Sequence, residues 1–167
     1  MAERVVPVVR PAVERDLQPV LDIYNDAVLT STATFDVEPR SMADHRAWCQ
    51  QFRHPYVLLV ATLAGEVVGW ACLHAFGGKP GYRFSTENSV YVRTDRWRQG
   101  IGRVLLEALL ERAAASGFHT VIARIAGDNP ASVRLHEQLG FEHAGREREV
   151  GYKFDRWLDV VVMQKML

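Results

Sequence analysis

Residues 89–110 constrain the fold more than any other part of the chain. β-branched and aromatic residues dominate 89–93, two glycines follow at Gly100 and Gly102, and apolar residues then recur at helical spacing. This pattern predicts a strand, a tight turn and a helix. A second apolar strand is expected at 118–126, so the helix between the two strands indicates a parallel crossover.

The glycine turn predicts a site for an anion. Without a Cβ at Gly100 and Gly102, backbone N–H groups at the start of the helix can approach a ligand closely, and the helix dipole favours negative charge there. Asp95 is the one acid in this turn. Phosphate or pyrophosphate is the expected ligand, because four arginines share the turn: Arg93, Arg96, Arg98 and Arg103.

Two common nucleotide motifs do not fit the turn. No Lys-Ser/Thr pair follows the glycines, and Leu105 stands where a dinucleotide fingerprint has its third glycine. Gly-x-Gly alone also occurs in ordinary tight turns, so this motif needs support from other parts of the chain.

That support comes from two segments that resemble one family. Arg98-Gln99-Gly100-Ile101-Gly102 resembles the pyrophosphate loop of the Gcn5-related N-acetyltransferases, with Trp97 where the family pattern has Gln or Arg. Residues 129–141, Asn-Pro-Ala-Ser-Val-Arg-Leu-His-Glu-Gln-Leu-Gly-Phe, resemble the family's Asn-x-x-Ala/Ser-x-x-x-Tyr-x-x-x-Gly-Phe segment. The resemblance implies an acetyltransferase fold across essentially the whole chain, with acetyl-CoA as co-substrate and no metal.

Five blocks resemble one branch of that family, the phosphinothricin and methionine sulfoximine N-acetyltransferases. They are residues 23–28, 32–39, 87–92, 133–137 and 151–159. This closer resemblance implies a homodimer, Glu87 as the general base, and Tyr82-Arg83 in the amino-acid site. Related sequences often carry an aromatic-Arg-Pro run just before that pair, whereas this chain has Lys79-Pro80 in a glycine-rich loop.

The resemblance and the glycine turn together give two sets of binding residues. The expected cofactor-binding residues are Val90, Tyr91, Val92, Arg98, Gln99, Gly100, Ile101, Gly102, Arg103, Asn129, Ser132 and His136. The expected substrate-binding residues are Thr34, Phe35, Lys79, Tyr82 and Arg83.

Acyl transfer to an amine requires a base, because an amine of pKa about 8 to 10 is mostly protonated at neutral pH. Glu87 is the predicted base, and its alternative is a structural ion pair with Arg83. Tyr91 is either a proton donor or, as the alternation with Val90 and Val92 favours, a packed strand tyrosine. His136 is a cofactor contact or an acid for the leaving thiolate.

Composition fits one α/β domain over residues 1–167. The chain has 167 residues and is 48% hydrophobic, which suffices for one sizeable core. We expect a central twisted mixed sheet of about seven strands flanked by about four helices, in the order β, α, α, β, β, β, α, β, α, β, β. The first strand is predicted at 5–10, and the last two at 141–151 and 157–166, with 152–156 between them.

Charge and cysteine usage indicate a cytoplasmic protein. Lys and Arg number 20 and Asp and Glu number 20, so no overall field would recruit nucleic acid or an anionic membrane. Cys49 and Cys72 lie in apolar contexts without metal-site spacing and are expected to be buried thiols. No apolar stretch reaches membrane-spanning length.

Two other functions stay open from the sequence. An acetyltransferase of peptide N-termini or other small amines could share these motifs. A non-catalytic acyl-CoA sensor could keep the glycine turn, although Glu87 argues against that function.

Overall fold

The computed structural model describes residues 6–167. The seven strands are β1 (Val8–Pro11), β2 (Val57–Leu63), β3 (Glu66–Ala75), β4 (Ser85–Val92), β5 (Thr120–Ala126), β6 (Glu142–Lys153) and β7 (Arg156–Met166). The four α-helices are α1 (Leu17–Thr30), α2 (Met42–Cys49), α3 (Ile101–Ala115) and α4 (Pro130–Gln138). Short 3-10 turns occupy Glu14–Asp16, Pro80–Tyr82 and Thr94–Arg96.

All seven strands form one open, mixed sheet in the order β1-β2-β3-β4-β5-β7-β6. Every neighbouring pair is antiparallel except β4 and β5, which are parallel and joined through α3. The predicted fold class, strand number, helix number and element order are therefore confirmed, as is the parallel crossover.

The helices divide the sheet into two faces with separate cores. Leu105, Leu106 and Leu109 of α3 pack on one face, which we call the α3 face. Val20 and Tyr24 of α1 pack on the opposite face, here the α1 face. Apolar residues recur on α1 and α3 at steps of three and four, which is why each helix buries one side against the sheet.

The helix ends follow the expected chemistry. The Ser41 hydroxyl accepts from the Asp44 amide at 3.1 Å, and the Asn129 side chain accepts from the Ser132 amide at 3.1 Å. Gly117 and Gly140, after α3 and α4, adopt φ of +79° and +84°, a conformation that costs glycine little.

The terminal strands differ from the prediction. Strand β1 is Val8–Pro11 rather than 5–10, and Val5 lies outside the described residues. The connection between the last two strands is not 152–156: β6 continues to Lys153 and β7 begins at Arg156. The reason is a two-residue turn in which Phe154 and Asp155 both adopt positive φ, the backbone that suits a tight hairpin.

The two cysteines are free thiols. Cys72 is buried as expected, whereas Cys49 is only partly buried. Burial raises the pKa of the Cys72 thiol to about 12. Across the described residues, none of the helices combines the length and apolar character needed to cross a membrane.

Candidate active site

A cleft opens where β4 and β5 separate. The two strands pair only at Ser85, Thr86 and Glu87, and from Asn88 onward the edge of β4 that faces β5 has no strand partner among residues 6–167. The opposite edge of β4 stays paired with β3 as far as Val92. A polar backbone edge in a cleft can bind an extended ligand as an added strand would.

The cleft is lined from both faces of the sheet. Its wall contains the predicted Val90, Tyr91, Asn129, Ser132 and His136. It also contains residues that the sequence did not single out: Ala33, Asn88, Ser89, Ala123, Arg124, Ile125 and Ala126.

Alternation along β4 sends its side chains to opposite faces. Val90 and Val92 pack with the core of the α3 face, whereas Tyr91 packs with that of the α1 face. Because side chains alternate in a strand, Glu87 and Ser89 lie on the α1 face with Tyr91. Asn88 lies on the α3 face. The predicted base therefore faces away from the glycine turn.

The glycine turn presents unpaired backbone donors. Gly100 is the N-cap of α3 with φ of +81°, and a Cβ built on it would meet no atom within 4 Å. In the described part of the chain, the amide N–H groups of residues 98–103 have no hydrogen-bond acceptor, whereas the next one, that of Val104, donates to the carbonyl of Gly100. Open space, aligned N–H groups and a helix N-terminus suit a pyrophosphate.

The arginines around this turn are mostly paired. Arg93 and Arg96 both contact Asp95, at 2.6 and 3.5 Å, and Arg103 contacts Glu107 at 2.8 Å. Arg98 is exposed and forms no ion pair with any described residue. Arg98 is thus the cation of this turn that is free for a phosphate.

Gly102 differs from Gly100 in what surrounds it. A Cβ on Gly102 would lie 3.3 Å from Leu135 Cδ2 and 3.7 Å from Val92 Cγ2. Its missing side chain therefore lets α3 approach α4 and β4 closely. Gly102 thus permits close packing and also contributes a free N–H to the turn. Trp97, which departs from the family pattern, donates its indole N–H to the Val92 carbonyl at 2.9 Å and fastens the turn to β4.

His136 is held in one protonation state. Its Nδ1 lies 2.8 Å from the Ser132 carbonyl oxygen, which can only accept, so Nδ1 carries the proton. Its Nε2 then accepts from the Asn88 amide at 3.0 Å. Burial lowers the pKa of His136, which is 3% exposed. A neutral imidazole with a hydrogen bond at each ring nitrogen is a poor acid. The geometry therefore favours a positioning role for His136.

Glu87 has no ion-pair partner among the described residues. Arg83, the partner considered above, instead places its guanidinium 4.5 Å from the centre of the Phe84 ring. His74 stands directly opposite Glu87 on β3, but its Nε2 contacts Ser89 Oγ at 3.4 Å. The partly buried Glu87 carboxylate is therefore free to take a proton from a ligand.

Tyr91 has the contacts of a packed strand tyrosine. Its ring stacks on Trp70 with centroids 4.6 Å apart, and its hydroxyl donates to the Ala33 carbonyl at 3.2 Å. Burial raises the pKa of Tyr91. The hydroxyl proton is thus directed to the loop between α1 and α2. These contacts are those of the packed strand tyrosine that the alternation with Val90 and Val92 favours.

The loop between α1 and α2 lies over the α1 side of the cleft. Thr34 Oγ1 hydrogen-bonds the Tyr24 hydroxyl at 3.0 Å, and the Thr34 carbonyl accepts from Lys153 Nζ at 2.8 Å. Burial, together with the hydrogen bond to Asp36, raises the pKa of Tyr24 to about 12. Phe35 packs so closely on Gly151 that a Cβ there would lie 2.2 Å from the ring.

Residues distant in sequence hold this loop, and sequence reasoning assigned them no role. Thr32 donates to Asp128 at 2.6 Å, and Arg156 binds the other oxygen of that carboxylate. Lys153 is 4% exposed, and burial lowers its pKa. The single available signal was the resemblance over 151–159, which includes Lys153 and Arg156 but does not reveal their partners.

The remaining predicted substrate residues lie in the loop before β4. Tyr82 packs edge-on against Phe76 with centroids 5.3 Å apart, and the Arg83 guanidinium is 3.4 Å from the Pro80 carbonyl. Lys79, Tyr82 and Arg83 are exposed, and none of them lines the cleft.

The residues present fit the phosphates and the extended arm of a coenzyme A thioester. The unpaired edge of β4 leads along the chain to the donors of 98–103 and the open position at Gly100. Within residues 6–167, no cluster of three His, Cys, Asp or Glu side chains could hold a metal ion.

Comparison with known proteins agrees with this geometry. The model of the acetyltransferase (GNAT) family matches residues 20–141. An L-methionine sulfoximine/L-methionine sulfone acetyltransferase of Pseudomonas aeruginosa is 45% identical over 158 residues, covering 93% of this chain and 92% of that protein.

Two solved structures share the fold closely. A ribosomal-protein-alanine N-acetyltransferase from Brucella melitensis superposes with a TM-score of 0.93 and 41% identity, covering 96% of this chain and 99% of that one. A phosphinothricin acetyltransferase from Sinorhizobium meliloti, in complex with AcCoA, gives a TM-score of 0.93 and 37% identity, covering 96% and 88%. The chain belongs to the acetyltransferase (GNAT) family and is an N-acetyltransferase.

Proposed function

We propose that this enzyme transfers the acetyl group of acetyl-CoA to the α-amine of a small amino-acid-like acceptor of the phosphinothricin or methionine sulfoximine type. The observation that carries the proposal is the Glu87 carboxylate at the point where β4 and β5 separate, which forms no ion pair with any of residues 6–167. The names of the similar Pseudomonas and Sinorhizobium proteins support this acceptor class.

The α3 face binds the acetyl donor in this proposal. Amide groups of Arg98, Gln99, Gly100, Ile101, Gly102 and Arg103 bind the pyrophosphate. Val90 and Val92 align the extended arm by backbone hydrogen bonds along the free edge of β4, and Tyr91, whose backbone faces β3, lines the cleft between them. Asn129, Ser132 and His136 form the wall opposite that edge. Acetyl-CoA supplies an activated acyl group as its thioester.

Glu87 acts as the general base for direct transfer. It lies on the α1 face beside the cleft, while the donor enters from the α3 face, so an amine at Glu87 can reach the thioester through the gap between the strands. Removing the ammonium proton restores the nitrogen lone pair for attack. A thiolate of pKa about 8.5 leaves readily, so the mechanism needs no dedicated acid.

The acceptor lies under the loop between α1 and α2. Thr34 provides hydrogen bonds, and Phe35 and Tyr82 enclose the short apolar linker of the acceptor. Arg83 and Lys79 are the cations of the loop before β4, and they serve the acceptor's anionic groups.

We further propose that residues 1–167 form a single acetyltransferase domain that works as a cytoplasmic homodimer without nucleic-acid or membrane partners. Exposed apolar side chains near the β6–β7 turn offer a surface for a second copy; they are Val150, Tyr152, Phe154 and Trp157. Size-exclusion chromatography with light scattering tests the dimer, and a monomer at all concentrations contradicts it.

Acetylation of peptide N-termini is the second candidate, favoured by the similarity to the Brucella enzyme. One amine panel separates the two functions. Free coenzyme A release is measured with methionine sulfone, its amide, the corresponding decarboxylated amine, and a peptide that begins with alanine.

We expect the free amino acid to have the highest kcat/KM. If the peptide is best, the enzyme acts on N-termini. If the decarboxylated amine is best, the acceptor is a small amine. Binding of acetyl-CoA without turnover of any amine contradicts the proposed acceptor class and favours a sensor.

A further inference from the structure

Arg124 is a cation in an otherwise buried strand. The other six residues of β5 are buried, whereas Arg124 is exposed. β5 is a central strand, paired with β7 along its whole length and with β4 as far as Ile122. A charged residue in such a strand is unfavourable unless its head reaches water or a ligand. The exposure of Arg124 shows that no helix among residues 6–167 covers its side chain on this face of the sheet.

Arg124 shares a face and a cleft with Glu87. Val121, Ala123 and Ile125 pack in the core of the α3 face, so alternation places Arg124 on the α1 face. It lines the cleft together with Ser89. Ile122 is paired with Glu87, and Arg124 is two residues further, so the Cα atoms of Glu87 and Arg124 are roughly 8 Å apart or more. In this structure the guanidinium points away from Glu87, across β7 to Glu147. The two side chains can contact one small molecule when Arg124 leaves that salt bridge and turns toward β4.

The ion pair of Arg124 does not explain its presence. The guanidinium extends across β7 and forms a salt bridge with Glu147 of β6. Both side chains are 42% exposed. Ion pairs at this exposure contribute little to stability, typically less than about 1 kcal/mol. Glu147 holds the guanidinium in place, and solvent still reaches it.

We propose that Arg124 binds the α-carboxylate of the acceptor and so makes the enzyme selective for amino acids over other amines. This inference rests on the proposed function. The α-amine and the α-carboxylate are attached to the same carbon, so a group that binds the carboxylate must lie beside the cleft in which the amine reacts. Arg124 lies at the cleft on β5 and meets that condition once its guanidinium releases Glu147, and its planar fork matches a carboxylate.

The anionic groups of the acceptor are then divided between two sites. Arg83 and Lys79 lie outside the cleft, in the loop before β4. They are placed for the head of the acceptor's side chain, which extends away from the reacting amine. Glu147 competes with the acceptor for Arg124, and it shields the guanidinium when no acceptor is bound.

The test compares Arg124→Met with Glu147→Gln as its matched control. Both variants lose the salt bridge, but only the first loses the guanidinium. For each protein, kcat and KM are measured with methionine sulfone and with its amide. The thermal shift produced by acetyl-CoA shows that each variant is folded and binds the donor.

We expect Arg124→Met to raise KM for the acid by roughly tenfold to a hundredfold, with little change for the amide. Glu147→Gln should leave KM for the acid unchanged or lower it, because it removes a competing carboxylate. Arg124→Lys should fall between the wild type and Arg124→Met, and it serves as the test variant if the methionine variant does not fold.

Other outcomes overturn the inference. If both variants change KM equally, Arg124 acts only through its salt bridge. If Arg124→Met retains the wild-type preference for the acid, the carboxylate binds elsewhere. A wild-type enzyme without any preference for the acid contradicts the amino-acid acceptor itself, which separates failure of the proposed function from failure of the role of Arg124.

Discussion

The two faces of the sheet build their parts of the site in different ways. On the α3 face, strand, turn and helix follow one another along a single stretch of chain, and the donors of residues 98–103 come from local backbone geometry. On the α1 face, the loop between α1 and α2 is held by side chains from far along the sequence. Thr32 binds Asp128, and Thr34 binds Lys153.

This difference indicates how each face can change. A local motif keeps its geometry as long as its own residues are kept. A loop fixed by a few polar contacts depends on each contact, because little of it is buried: residues 35–39 are all exposed. We therefore expect most substitutions on the α3 face to leave its binding function intact. Substitutions on the α1 face should more readily change which acceptor the enzyme uses.

The largest expected effect is at Glu87, which lies beside the cleft where the two faces of the sheet meet. Glu87→Gln should lower kcat by roughly 10²-fold or more at neutral pH, because the amine keeps its proton. Acetyl-CoA binding, a property of the α3 face, should stay near wild type in calorimetry. Activity should partly recover as pH rises and the amine loses its proton unaided. Equal activity of variant and parent at pH 7 contradicts the role of Glu87 as base.

The next effect isolates the α3 face. At 100 times its dissociation constant, acetyl-CoA should stabilise the wild type by about 2.7 kcal/mol. Gly100→Val should remove most of this stabilisation, because the side chain would enter the open space in front of the free N–H groups. Thermal shift with and without acetyl-CoA measures the change.

Gly117→Val is the matched control for that experiment. Gly117, beyond the other end of α3, has φ of +79°, and a Cβ there also meets nothing within 4 Å. Both variants should lose similar stability without ligand, about 2 kcal/mol from the left-handed backbone. If Gly117→Val also loses the acetyl-CoA shift, the effect at Gly100 is strain and the turn is not the binding site.

The same difference between the faces explains what could be predicted from sequence. The glycine turn and the strand–helix–strand crossover follow from patterns along one stretch of chain, and the structure has them where expected. The tethers of Thr34 span 10 residues to Tyr24 and 119 to Lys153, and periodicity does not encode such pairings. In the sequence, Arg124 is one residue of a predicted buried strand. Its place at the cleft depends on the separation of β4 from β5, which is a tertiary feature that the local sequence does not encode.

A third prediction acts on the α1 face. Gly151→Ala should lower the free energy of unfolding by about 2 kcal/mol and raise KM for the acceptor, since the Cβ would overlap the Phe35 ring and displace its loop. Gly145→Ala is the control on the same strand, because its Cβ would meet nothing within 4 Å. Denaturant unfolding and acceptor KM measure both variants. A KM for acetyl-CoA that rises as much as the acceptor KM contradicts a separation of the two faces.

The smallest expected effect compares one buried histidine on each face. His136 borders the cleft, and His45 of α2 is fully buried near α1. Burial lowers the pKa of both imidazoles below the ordinary 6.5.

The native state then binds fewer protons than the unfolded chain, so the free energy of unfolding falls as pH drops below about 6.5 and levels off below the native pKa. Each histidine contributes at most about 1.4 kcal/mol per pH unit in that window. Urea unfolding of His136→Gln without ligands, from pH 7 to pH 5, should show a shallower decline than the wild type. The exposed His119→Gln serves as the matched control for the loss of one imidazole. An unchanged slope in His136→Gln would mean that His136 binds its proton equally well in the native and unfolded states, and the Asn88 side chain would then have to turn its amide oxygen toward Nε2.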